Sequence, residues 1–168
     1  MHDLARHALD AVIERLHETK KLGDGVLAQV SAPQLFWRAD AQANSIAIIV
    51  QHMHGNMRSR WTDFLTTDGE KPWRGRDGEF EPACDTPQDI AALWDAGWKL
   101  TFEVIGALQP ADLTRTVHIR AQPLSVLQAL IRQVGHYSYH VGQMVTLARQ
   151  QVGPQWRSLS IPKHVTKP

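Results

Sequence analysis

The sequence predicts an all-α protein, and specifically a four-helix bundle, from the spacing of its apolar residues and the positions of its helix-breaking residues. Apolar side chains recur at steps of three and four residues over four long stretches. These stretches cover about residues 3–30, 44–66, 86–108 and 123–151. A chain of 168 residues, 43% hydrophobic and 21% charged, is typical of one globular domain. We therefore expect a single domain over residues 1–168.

Local signals bound the first two helices. Gly23 and Gly25 weaken the end of the first helix. Asn44 or Ser45 can cap the open N–H groups at the start of the second helix. Gly55 interrupts the second helix and indicates close packing or a local bend.

Prolines delimit the third and fourth helices. Pro87 fits the first turn of the third helix, and Pro110 stops that helix. Pro123 stands where the fourth helix is predicted to begin, and Gly153 marks its end. Residues 114–120 alternate like a short strand, which predicts a strand-like connector or one arm of a small hairpin.

The polar segment 67–78 predicts a long loop between the second and third helices, because it is rich in glycine and charge. Loops of this length are often functional or form crossover connections. Arg74 and Arg76 lie in this loop, and Arg58 and Arg60 lie in the second helix. The four arginines could bind an anion, but we expect them to form a solvated surface.

Charge and composition exclude several classes of protein. The 18 Lys and Arg residues nearly balance 17 Asp and Glu residues, which argues against a nucleic-acid partner. The single cysteine, Cys84, excludes an intrachain disulfide framework and is expected to be an incidental thiol.

The longest apolar run, residues 46–50, is far short of the roughly 20 residues of a membrane helix. With no apolar signal core at the N-terminus, we expect a soluble, cytoplasmic protein with no membrane partner.

The strongest chemical signal is a pair of histidines, His136 and His140, in the fourth helix. Their spacing places the two side chains about 5–6 Å apart on one inward face, where both imidazoles can reach one metal ion. Gln133 and Gln143 continue a polar line on this face, and Asn56 adds an inward amide from the second helix. We expect these three amides to line a pocket beside the metal. The alternative is that the histidines are only packing or surface residues.

A third histidine ligand would come from the second helix, which offers His52 and His54. The apolar stripe of that helix is centred near Met53 and Met57. His52 lies on one flank of this stripe and His54 on the other, so helix geometry alone does not choose between them.

Two other kinds of metal site, a di-iron site and a zinc-protease site, are not supported by the sequence. Glu14 and His17 match the Glu-x-x-His spacing of di-iron bundles, but the second and fourth helices contain no glutamate. We therefore expect Glu14 and His17 to lie on a solvated face. His136 is followed by Tyr137 rather than by glutamate, which does not support a zinc-protease helix.

Five segments of the chain carry recognisable motifs. They are residues 44–52, 55–65, 68–73, 136–143 and 156–162. Together they resemble the DUF1572 branch of the DinB/YfiT-like superfamily of bacterial proteins. The resemblance covers most of the chain and implies an up-up-down-down four-helix bundle that is often dimeric.

The resemblance also implies a divalent metal held by three histidines, one from the second helix and a His-x-x-x-His pair from the fourth. By position these are His52, His136 and His140, whereas His54 falls where the family pattern requires no ligand. The superfamily implies nickel or zinc, although three imidazoles suit zinc, nickel, copper and iron alike. It also implies a low-molecular-weight thiol as a second cofactor, because some of its members are thiol-dependent transferases and isomerases.

Three neutral ligands leave a metal its positive charge and an open coordination position. We therefore expect a divalent-metal-binding protein that acts as a metal-dependent transferase or hydrolase on a small molecule. The alternative is a non-enzymatic metal-binding or stress-related module. Trp73 and Trp156 lie outside the helical stripes and indicate either a homodimer contact or packing of the loop and tail on the bundle.

Overall fold

The computed structural model describes residues 2–161, and the side chains of residues 4–161, as a mostly helical chain with one small sheet. Its helices are α1 (His2–Leu27), α2 (Ala32–Phe36), α3 (Ile46–Trp61), α4 (Pro87–Ala107) and α5 (Val126–Val152). Its strands are β1 (Thr116–Ile119) and β2 (Gln122–Ser125). Short 3-10 helices cover Asp77–Phe80, Pro110–Thr114 and Gly153–Gln155. The predicted predominance of helix is confirmed, while Pro162, at the end of the tail motif, lies outside the described residues.

The second predicted helix, α3, is shorter than its apolar pattern. Ser45 caps it, since the Ser45 hydroxyl accepts the Ile48 N–H at 3.1 Å. The helix ends at Trp61, because Thr62 is extended and Asp63 has a φ of 49°. Apolar periodicity continues to Phe64, which is buried, but the backbone no longer follows it.

The first predicted helix is also shorter, and the connector after it is partly ordered as a helix. α1 ends at Leu27 rather than near residue 30. The five-residue α2 follows, a helix that the apolar pattern did not predict. Its start is stabilised by Gln34, whose Oε1 accepts the Ser31 N–H at 2.8 Å.

The prediction that the fourth helix begins at Pro123 is wrong. Pro123 lies in β2, where it pairs with His118 of β1, and the hairpin alternative for this segment is confirmed. Helix α5 begins at Val126, because Ser125 forms its cap: the Gln128 N–H donates to the Ser125 hydroxyl at 3.1 Å. A proline lacks an N–H group and is tolerated in such an edge strand.

Helix α3 lies at the centre of the molecule. It packs against α4 and α5, while α1 packs against α5 and α4. The 3-10 helix at Asp77–Phe80 folds back onto a further side of α3. As a result α3 buries not only its apolar stripe but also polar side chains, among them His52, Asn56 and Arg60. This burial on several faces positions the site described below.

Candidate metal centre

Three histidines from α3 and α5 converge inside the molecule. Ring nitrogens of His52, His136 and His140 all lie within 4.8 Å of one another. The Nε2 atom of His136 is 3.4 Å from that of His52 and 3.1 Å from that of His140. The pair on α5 is brought together by its four-residue spacing, and the packing of α3 on α5 adds the third ring.

Burial keeps two of these rings, those of His136 and His140, neutral near pH 7. His52 and His140 are 4% and 8% exposed, and His136 is half-buried. Desolvation, followed by the nearby His140 and His52, lowers the pKa of His136 to about 3. Desolvation and the nearby His52 likewise lower the pKa of His140 to about 4. Neutral imidazole is the form that binds a metal.

Hydrogen bonds at the outer ring nitrogens fix two of the tautomers. His52 donates its Nδ1–H to Glu79 Oε2 at 2.9 Å, since a carboxylate only accepts. His140 donates its Nδ1–H to Gln143 Oε1 at 3.1 Å. In the neutral form of each ring, the Nε2 lone pair therefore faces the cluster. The buried Nδ1 of His136 has no hydrogen-bond partner within the described part of the chain.

Glu79 is a charged neighbour of the cluster that the sequence did not predict. Its carboxylate accepts two hydrogen bonds from Arg74, at 2.7 and 2.8 Å, in addition to the one from His52. Burial alone would raise the Glu79 pKa, but the bonds from Arg74 and His52 outweigh burial and hold the pKa below its usual value. Glu79 is thus an anion beside His52 at neutral pH. The signal of this contact in the sequence is Gly55, because a side chain at that position would collide with Glu79.

Two of the four arginines are not solvated, so that prediction is wrong for Arg60 and Arg74. Their side chains are only 3% and 2% exposed, because the loop after α3 folds over the helix and encloses both. Both guanidinium groups contact Glu70, Arg60 at 3.2 Å and Arg74 at 3.5 Å. Arg58 and Arg76 are exposed, as predicted.

The three predicted pocket-lining amides fall into two groups by their hydrogen bonds. Gln143 contacts His140, as given above. Gln133 and Asn56 are buried and joined by a hydrogen bond of 2.8 Å. Gln133 also donates to the Tyr137 hydroxyl at 2.9 Å, and Trp61 donates to the same hydroxyl at 3.0 Å. This network is buried, and it lies next to the cluster because the Tyr137 ring is 5.6 Å from that of His136.

An open groove of about 480 Å³ is lined by Gln143, the hydrogen-bond partner of His140, but by none of the three histidines. Ile49 and Leu147 form its apolar part, and Asn44, Tyr139 and Thr146 are among its polar lining residues. Ile49 lies three residues before His52, and Gln143 lies three residues after His140. None of the residues that line the groove carries a charge.

The other candidates lie outside the cluster. The His54 side chain approaches Gly97 on α4, and burial followed by the nearby Arg58 lowers its pKa. Glu14 and His17 are exposed, as predicted. Cys84 lies in a separate cavity of about 220 Å³, where burial and nearby aspartates raise its thiol pKa.

The two tryptophans that suggested an interface differ in exposure. Trp73 is 51% exposed, and the Arg58 guanidinium lies over its ring at 5.1 Å. Trp156 is half-buried and packs against the core, as the alternative of tail packing expects. Among residues 2–161, no helix is both long and apolar enough to cross a membrane.

Comparison with known proteins identifies the family of this chain. A search of the curated proteins found no match. A family model covers nearly the whole chain and includes all three clustered histidines, since it matches residues 3–165. The chain therefore belongs to the family described as protein of unknown function, DUF1572.

Proposed function

We propose that His52, His136 and His140 bind one divalent cation, zinc or nickel, through their Nε2 atoms. The observation that carries this proposal is the convergence of the three Nε2 atoms. The outer nitrogens of His52 and His140 donate to oxygen atoms. In the neutral form of each ring, the inner nitrogen, Nε2, therefore carries a lone pair that faces the cluster. Without a cation, the single ring proton of neutral His136 is the one proton within the cluster that could form a hydrogen bond to these two lone pairs.

The chemistry of the donors fits such an ion. The rings of His136 and His140 are neutral at pH 7, so no proton has to leave them before a cation binds. Three protein ligands are typical of reactive metal sites, whereas structural zinc sites usually have four. When bound, the cation would act as a Lewis acid that lowers the pKa of a coordinated water or thiol.

We further propose that the site belongs to an enzyme, a thiol-dependent transferase or a hydrolase of small molecules. The open groove beside Gln143 supports this function, because it is large enough for a small substrate and borders a ligand's hydrogen-bond partner. In this proposal Gln143 holds His140 in place, and Asn44 and Thr146 offer neutral hydrogen-bonding groups to the substrate.

The second candidate is a non-enzymatic metal-binding or stress-related module. The hydrogen bonds of Glu79 favour this non-enzymatic function. This carboxylate lies next to the site, but Arg74 and His52 already occupy its oxygen atoms, so it is not free to act as a general base. Turnover of thiol or ester substrates by metal-loaded protein distinguishes the enzyme from the module.

The wider family relationship and the assembly are also proposals. The four long helices, with ligands on α3 and α5, support placement in the DinB/YfiT-like superfamily and an up-up-down-down bundle. The exposed Trp73 supports a homodimer contact. We propose a single-domain, cytoplasmic protein that acts without nucleic acid or membrane.

Elemental analysis of untagged protein tests the metal site. We expect about one zinc or nickel ion per chain in the wild type and none in His140→Ala. His54→Ala is the matched control, because His54 is a partly buried histidine of α3 outside the cluster, and this variant should keep its metal. A wild-type protein that holds no metal, even after incubation with zinc or nickel, contradicts the proposal.

A further inference from the structure

We propose that Glu79 is a positioning residue for the metal centre, which holds His52 in the tautomer and orientation that direct its Nε2 into the cluster. This role rests on the proposed function, because His52 needs to be positioned only if the cluster binds a cation. It adds to the three histidines a residue that lies 27 positions along the chain from His52.

The contacts of His52 support this role. Glu79 Oε2 accepts the Nδ1–H at 2.9 Å, and the ring of Phe80 stacks on the imidazole at a centroid distance of 4.6 Å. Both residues belong to the 3-10 helix Asp77–Phe80. One short segment therefore fixes both the rotation of the ring and the position of its proton.

Glu79 itself has little freedom. Arg74 holds both carboxylate oxygens, and the Arg74 side chain is in turn only 2% exposed. Glu70 lies 3.5 Å from the same guanidinium and also accepts from Arg60 and Arg120. The carboxylate is thus fixed by a charged network before any ligand arrives, which is what a positioning group requires.

His52 is the one histidine of the cluster with an anionic acceptor among the described residues. His140 donates to a neutral amide of its own helix, and His136 has no acceptor for its Nδ1 within residues 4–161. A carboxylate behind an imidazole raises the basicity of the ligating nitrogen, and loss of such a partner typically weakens metal binding by about 10–100-fold. His52 is therefore the ligand whose contribution depends most on a residue outside the two ligand helices.

Titration of Co²⁺, followed by its visible absorption, tests the proposal on the full chain. We expect Glu79→Gln to bind Co²⁺ about 10–100-fold more weakly than the wild type, because the amide retains an acceptor oxygen but loses the charge. Asp77→Asn is the matched control. Asp77 lies in the same 3-10 helix, is exposed and pairs only with Arg76 among the described residues, so this variant should bind Co²⁺ like the wild type.

Nitrogen-15 NMR of the metal-free protein gives a second readout that a general loss of stability would not reproduce. We expect His52 to carry its proton on Nδ1 in the wild type and to become a mixture of tautomers in Glu79→Ala. Should Glu79→Ala fail to fold, Glu79→Gln provides the same comparison through a weaker Nδ1–H hydrogen bond.

The two readouts separate the possible failures. If the wild type binds no Co²⁺, the proposed function is contradicted, while the tautomer of His52 still decides whether Glu79 positions the ring. If His52 keeps a pure Nδ1–H tautomer without Glu79, or if Glu79→Gln binds Co²⁺ as tightly as Asp77→Asn, the positioning role is overturned.

Discussion

Gly55 leaves the space that the carboxylate of Glu79 occupies. A Cβ atom at Gly55 would lie 2.5 Å from Cδ of Glu79 and closer still to Oε1, so only glycine permits this contact. The missing side chain on α3 therefore brings the loop carboxylate to His52. A glycine inside a helix normally lowers stability, and here the close approach explains its presence.

Replacement of Gly55 by alanine should weaken Co²⁺ binding, because the new methyl group displaces Glu79 from His52. Alanine elsewhere in a helix stabilises by up to about 1 kcal/mol relative to glycine. Gly106→Ala on α4 is the control, since nothing lies within 4 Å of its Cβ position. Equal Co²⁺ affinities for Gly55→Ala and Gly106→Ala, measured by absorption, would contradict this explanation.

Removal of the Tyr137 hydroxyl should destabilise the protein. Tyr137→Phe leaves the buried Trp61 N–H without its acceptor and removes one of the two acceptors of the Gln133 amide. A buried donor without a partner costs about 1–3 kcal/mol. We expect a loss of this size in urea unfolding, whereas Tyr139→Phe, at an exposed tyrosine of the same helix, should change stability by less than about 0.5 kcal/mol.

The metal-free protein should lose stability as the pH falls below about 6.5. The pKa values of His136 and His140 are lowered to about 3 and about 4 in the folded state, from 6.5 for an unperturbed histidine. Between these values the unfolded chain binds more protons than the folded chain, so acid favours unfolding. Urea midpoints measured with chelator at pH 7.5, 6.5 and 5.5 should decrease in that order.

A variant identifies the groups responsible for this pH dependence. His136→Ala removes the histidine with the lower of these two pKa values, so its urea midpoint should depend less steeply on pH than that of the wild type. Gly106→Ala, which removes no ionisable group and adds a methyl group into open space, should keep the wild-type slope. Identical slopes for His136→Ala and the wild type would show that this ring does not set the acid sensitivity.

Asp68 should be important for holding the loop against the hairpin. Its carboxylate accepts the backbone N–H groups of Glu70, Arg120 and Ala121 at 2.7, 2.9 and 2.7 Å. Both Arg120 and Ala121 have positive φ angles, so the turn between the strands depends on such support. We expect Asp68→Ala to lower the unfolding free energy by about 1–3 kcal/mol, measured in urea.

The control for this variant is an exposed aspartate in the next part of the loop. Asp77→Ala removes a carboxylate whose described ion pair, with Arg76, lies on the surface. Surface pairs contribute about 0–1 kcal/mol, so its midpoint should stay close to that of the wild type. Similar losses for Asp68→Ala and Asp77→Ala would contradict the anchoring role.

The sequence by itself determined the features that follow from local periodicity. Apolar residues at three- and four-residue steps located the long helices, because an α-helix returns to the same face with that period. The same rule brought His136 and His140 together, since both lie on one helix. Element boundaries were less well predicted: Pro123 belongs to a strand, and capping by Ser125 fixes the start of α5.

Only the tertiary structure decided which residues surround the histidines. Helix geometry left His52 and His54 equivalent, and the packing of α3 between α4 and α5 turns His52 into the cluster and His54 towards α4. Glu79 and Arg74 are polar loop residues in the sequence, yet the loop folds over α3 and buries them beside His52. Such contacts join positions far apart along the chain, and no repeat in the sequence records them, because they depend on how whole elements pack.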